Sequence, residues 1–121
     1  MKKWILSVVV GLVLSGCALQ PDLAFKSDDE WKEYGYEVAL AGMIKDSEQN
    51  LKGRDTLQSL QSASYQAYSD GYELGRKEYC SQNAVMLGVK NEPYRGICDK
   101  LDWTFRQDYI NGRTSRAGRG F

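Results

Sequence analysis

The side chains with the most chemistry in this sequence are three cysteines, and no histidine is present to act with them. An odd count leaves at least one cysteine outside any internal disulfide. Cys17 closes the stretch "LSGC", where two small residues precede a thiol at the edge of an apolar run. That arrangement suits thioether attachment of a lipid and a cut just before the modified residue. Cys80 and Cys98 bracket "CSQNAVMLGVKNEPYRGIC". In an oxidising compartment such a remaining pair most simply bonds. A redox or metal pair is the rival reading, but the spacing is not CxxC and imidazole is missing.

The elements around Cys17 set the compartment. Lys2 and Lys3 form a positive start, Trp4 to Leu14 an apolar core, and Ser15-Gly16 the small residues of a cleavage site. The run is short of the roughly 20 residues that span a bilayer and fits a secretory signal over residues 1–16. Leu14-Ser15-Gly16-Cys17 looks like a bacterial lipobox. A plain secreted protein and an uncleaved anchor are the alternatives. With Cys17 lipidated, each buried methylene contributes about 0.8 kcal/mol and two or more chains hold a protein stably on a membrane. Ala18 follows in place of the aspartate that marks inner-membrane retention, so the expected site is the outer membrane, facing the periplasm.

Residues 17–121 remain, enough for one small domain. Without Lys2 and Lys3 the basic count falls from 16 to 14 against 16 acids, a net charge of −2. Such a balance gives no footprint for nucleic acid. All eight tyrosines lie after residue 17 while large aliphatics are few there, so the core must be aromatic. Pro21 and the aperiodic "ALQPDLAFK" make 17–27 a tether. "SDDE" offers a capping box, Ser27 with Glu30, for a helix over about 28–44 that buries Trp31, Tyr34 or Gly35, Val38 and Gly42. The polar residues 45–53 read as a loop. A second helix is expected from about Asp55 to Tyr79, burying Leu57, Tyr68, Tyr72, Gly75 and Tyr79 among others. A short helical turn ends at Leu87 with Gly88 closing it, and a third helix runs from near Asp99 through Leu101, Phe105 and Tyr109 to Gly112. The fold class is all-α: a small three-helix domain over 28–113, its second and third helices joined by a disulfide-closed loop, with a flexible basic tail over 114–121.

Glycine inside a helix costs about 1 kcal/mol relative to alanine, so Gly71 and Gly75 within "SDGYELGRKEY" need a reason. Close approach of another helix, near Gly35 to Gly42, is one; a tyrosine-lined groove is the other. "AYSDGYELGRKEYC", "NAVMLG" and "PYRGIC" together resemble an uncharacterised family of small proteobacterial lipoproteins, domain-of-unknown-function family 2799. Trp31, Gly35-Tyr36, Ala39 and Gly42 match its first helix, and Tyr109 with Gly112 its last, so the likeness covers about 28–113. Ser81-Gln82-Asn83 departs from the family's Thr-Pro-Glu-Asn run. The resemblance implies the helical fold and the Cys80–Cys98 bond, and it implies no activity.

Catalysis has little support: no GxSxG, SxxK or phosphate loop occurs, and Glu73, Glu78 and Asp102 read as a solvated acidic face. No enzyme activity, cofactor or metal site is expected. The expected role is a periplasm-facing structural or protein-interaction module with an envelope protein partner. A small-ligand or cell-wall glycan binder using exposed tyrosines is the alternative, and an envelope hydrolase a remote one. Tyr94, Tyr36 and Trp103 are the candidate interaction residues. Arg113, Arg116 and Arg119 could meet anionic head groups, although a solvated tail is the simpler reading.

Overall fold

The computed structural model describes residues 22–118. The segment 1–16 expected to be a signal, Cys17 with its expected lipid and Ala18, on which the outer-membrane expectation rests, lie outside them, as does the end of the chain from residue 119. Among the described residues five helices, rather than three, follow in order: α1 (Asp28–Leu40), α2 (Glu48–Arg54), α3 (Ser62–Cys80), α4 (Ala84–Val89) and α5 (Phe105–Gly118). Among the described residues no helix is long and apolar enough to cross a membrane.

Helix α1 starts where the sequence indicates. The Ser27 hydroxyl accepts from the Glu30 amide, and the Glu30 carboxylate accepts from the Ser27 amide. It stops earlier than residue 44, because Gly42 adopts φ +74° and ends the helix. The Gly42 amide donates to Ala39 O at 2.9 Å and the Met43 amide to Val38 O at 3.1 Å, the paired bonds of a Schellman cap. Gly42 is therefore the stop signal of α1 and not a position within it.

The stretch 45–53 read as a loop holds all of α2 but its last residue. Its cap is Ser47, which accepts from the Asn50 amide, and its single anchor is the fully buried Leu51. One apolar residue in nine gives no period to detect. Helix α3 begins at Ser62 rather than Asp55, since Gln58 takes φ +52° and Asp55 turns inward to accept from the Leu60 amide at 2.7 Å. Leu57, expected in the core, is 46% exposed as a result. The segment read as a tether is docked from Leu23 onward. Leu23 is buried, bridges in parallel to Asp55, and exchanges hydrogen bonds with Arg54 and Thr56. Phe25 packs edge-on to Trp31, with ring centroids 4.9 Å apart.

Helices α1 and α3 form the main seam, and the glycines lie in it. A Cβ on Gly71 would sit 1.9 Å from Lys32 O, and one on Gly35 2.0 Å from Tyr68 O. Tyr68 and Tyr72 are buried beside these contacts, so the tyrosine-glycine stripe is core and not groove. Three hydroxyls from α3 also fasten the 43–46 turn: Tyr72 donates to Met43 O at 2.8 Å, Tyr65 donates to Asp46 O at 2.9 Å, and Tyr68 accepts from the Asp46 amide at 3.0 Å. The rings stay in the core while each hydroxyl finds a partner. Tyr68→Phe is accordingly expected to strand the Asp46 amide and cost about 1–3 kcal/mol, read as a lower urea midpoint at unchanged m-value.

Beyond Tyr79 a second cluster forms from Leu87, Ile97, Cys98, Phe105 and Tyr109. Helix α4 is capped by Asn83 and runs to Val89, so Gly88 is not its stop; Asn91, at φ +58°, takes that part. Gly88 and Gly112 instead face the partner helix: their Cβ atoms would lie 2.1 Å from Tyr109 O and from Val85 O. Helix α5 starts six residues later than Asp99 and continues past Gly112 to Gly118, through much of the segment read as a tail. Residues 99–104 form turns, leaving Leu101 45% exposed rather than buried. Cys80 and Cys98 are bonded, with Cα atoms 5.6 Å apart, and join the end of α3 to this cluster.

Candidate interaction surface

The three candidate interaction residues fall in different settings. Tyr36 sits half-buried on α1, and its hydroxyl donates to Glu78 on α3, across the main seam. That bond, with burial behind it, pushes the phenol above its ordinary range. Tyr94 is held in the disulfide-braced cluster, its ring 5.1 Å from Phe105 and 5.4 Å from Tyr109. Its hydroxyl donates to Asp99 at 2.7 Å and accepts from the Cys98 amide at 3.0 Å. Burial first, and the Asp99 bond second, raise its pKa well above the usual value. The Tyr94 hydroxyl is thus committed to the loop, and only part of its ring faces outward.

Trp103 differs from both, being 84% exposed. It nevertheless stands on a hydrogen-bonded turn. The Cys98 carbonyl accepts from the amides of Leu101 and Asp102, and the Asp102 carboxylate accepts from the Thr104 amide and hydroxyl. Phe105, two residues on, is 2% exposed and anchors the turn from below. The indole is therefore presented to solvent by a braced support.

Next to Tyr94 lies a groove of ≈650 Å3 lined by Pro93, Tyr94, Arg106, Tyr109, Ile110 and Arg113, among others. Arg106 lies 5.2 Å over the Tyr94 ring and Arg113 5.9 Å over Tyr109. Arg106 also binds Asp99 through Nε at 3.1 Å and Nη2 at 2.7 Å. The guanidinium, and then the Tyr94 hydroxyl, hold the Asp99 carboxyl below its ordinary range. A depressed carboxylate keeps its contribution at neutral pH and loses it only as the pH falls through that lowered value. Sequence reasoning overlooked Arg106 and assigned Arg113 to the tail. The available signal was the spacing of Arg106, Tyr109, Ile110 and Arg113, which places them on one helical face. Among the described residues no group of three or more Cys, Asp or Glu side chains could hold a metal ion.

Two glycine-seamed helix pairs, joined through α3 and braced by the Cys80–Cys98 disulfide, define a small all-α domain whose accessible features include an aromatic turn and a groove lined by two arginines. The chain belongs to the family described as protein of unknown function (DUF2799), whose model matches residues 30–114. No curated protein and no solved structure matches it.

Proposed function

We propose that this is a lipid-anchored envelope protein whose helical domain acts as a protein-interaction module, without catalysis of its own. The observation that carries the interaction role is the 84% exposure of Trp103 on a turn braced by Asp102, Phe105 and the nearby disulfide. Exposing so large an apolar ring on an ordered support favours a partner that covers it, since tryptophan dominates contact energy where it can be buried. The anchor rests on "LSGC" at the end of the short apolar run, and the outer-membrane, periplasm-facing location on Ala18. Glycan binding through tyrosines is the weaker reading, because the hydroxyls of Tyr65, Tyr68, Tyr72, Tyr94 and Tyr109 already have partners within the domain.

Cys17→Ser is expected to leave the precursor at its unprocessed mass and to lose lipid-dependent retention in the membrane fraction. Wild-type mass and retention would refute the anchor. A photo-crosslinking side chain at Trp103, in intact cells, should give discrete protein adducts that the same group at the exposed Lys52 does not. Equal patterns at the two positions would refute the interaction surface.

A further inference from the structure

We propose that the groove between the 93–94 segment and α5 binds an acidic peptide, taking its carboxylate on Arg113 and Arg106 and an adjacent aliphatic side chain against Ile110 and Pro93. This rests on reading the domain as an interaction module and names the chemistry of what it would hold. Both guanidinium groups lie over tyrosine rings, 5.2 and 5.9 Å from the centroids, so each is held in place before a ligand arrives. A planar fork of N–H donors matches a carboxylate in two parallel bonds. Asp99 occupies only one edge of Arg106. Arg113 forms no salt bridge among the described residues, so the groove keeps an uncompensated positive charge. The rest of the lining restricts the ligand further. The Tyr94 and Tyr109 hydroxyls are turned to Asp99 and to the Glu92 carbonyl, which leaves the Thr114 hydroxyl as the neutral hydrogen-bonding side chain of the lining. Ile110 is 44% exposed beside them. A cation pair over aromatic and aliphatic walls suits a carboxylate attached to an apolar neighbour, which a peptide supplies and a sugar does not.

The test uses the full-length protein extracted from cells in a non-ionic detergent. The probe is a fluorescent pentapeptide ending in leucine followed by glutamate with a free C-terminus, compared with its uncharged glutamine-amide counterpart. Saturable binding is expected for the acidic peptide, with the amide at least about tenfold weaker, the scale of a lost charge-assisted hydrogen bond. Arg113→Gln, at an exposed position where the fold should be unaffected, is expected to weaken binding by about tenfold, and Arg113→Lys by less because charge is kept and the fork lost. Equal affinity for the two peptides, wild-type affinity in Arg113→Gln, or no saturable binding up to about 1 mM would each overturn the proposal. Vesicles containing phosphatidylglycerol that displace the peptide at equal anion concentration would assign the groove to lipid phosphate and overturn it as well. These outcomes are independent of crosslinking at Trp103, so the groove can fail while the module stands.

Discussion

Gly71→Leu is expected to abolish the folded domain at 37 °C, and Gly71→Ala alone to destabilise it by about 2–3 kcal/mol, at the upper end of overpacking costs. The reason is what the new atom meets. Its nearest neighbours are Lys32 O at 1.9 Å and Lys32 C at 2.8 Å, backbone atoms of α1 that no rotamer change can move. Relief requires the two helices to separate, and Gly35 against Tyr68 O and Gly75 against Tyr36 O resist that along the same seam. Opening it would also loosen the buried rings of Tyr68 and Tyr72 and the hydroxyl bonds to the 43–46 turn. For a domain of this size each kcal/mol lowers the melting temperature by about 4–8 °C. Gly53→Ala is the control, since nothing lies within 4 Å of its Cβ position, and a gain of about 0.5 kcal/mol is expected there. Thermal melts followed by circular dichroism check both. A Gly71→Ala protein that melts with the wild type would show that the seam does not depend on bare backbone contact.

The same seam shows what could be read in advance. Glycines spaced within a tyrosine-rich helix carry a penalty that needs a reason, and of the two that the residue types offer, close approach of α1 and a tyrosine-lined groove, the contact of Gly71 with Lys32 O bears out the first. The capping box at Ser27 and the bond between Cys80 and Cys98 were equally legible, one from local hydrogen-bonding chemistry and the other from cysteine arithmetic. What escaped was decided by single residues in unusual backbone states. Gln58 and Asn91 take positive φ, which their types permit but do not announce. Leu51 alone fastens α2, and periodicity needs more than one apolar residue. Gly112 reads as a helix stop because glycine serves both as a terminator and as a contact surface, and the sequence around it does not separate the two uses. The groove was missed for a related reason. The spacing of its arginines on one helical face was legible, but the wall opposite them, Pro93 and Tyr94, belongs to a segment that the fold brings against α5, a relation that spacing along one chain segment does not contain.

Removing the disulfide by Cys80→Ala with Cys98→Ala is expected to cost about 2–5 kcal/mol, and to cost it unevenly. Helices α1 and α3 are held by Trp31, Tyr68 and the glycine contacts, none of which involves a cysteine. Helices α4 and α5 pack on one another through Gly88 and Gly112, but their attachment to α3 rests on the bond at Cys98 and on Tyr79, whose ring lies 6.3 Å from Phe105. Without the bond the chain from 81 to 97 gains freedom when unfolded, a difference of about 3 kcal/mol for a loop of this length. Hydrogen exchange should therefore show amides of 84–113 losing protection by about a hundredfold, while those of 29–40 and 65–78 change little. Uniform loss across the chain would mean that the two clusters unfold as one unit. Undiminished protection in α4 and α5 would mean that their packing suffices without the bond. The uneven outcome has a functional consequence, because Trp103, Tyr94 and the arginines of the groove all belong to the part released. Oxidation at Cys80 and Cys98 would then decide whether the proposed interaction surface forms, and the reduced protein is expected to lose the proposed peptide binding before it loses its α1–α3 helicity.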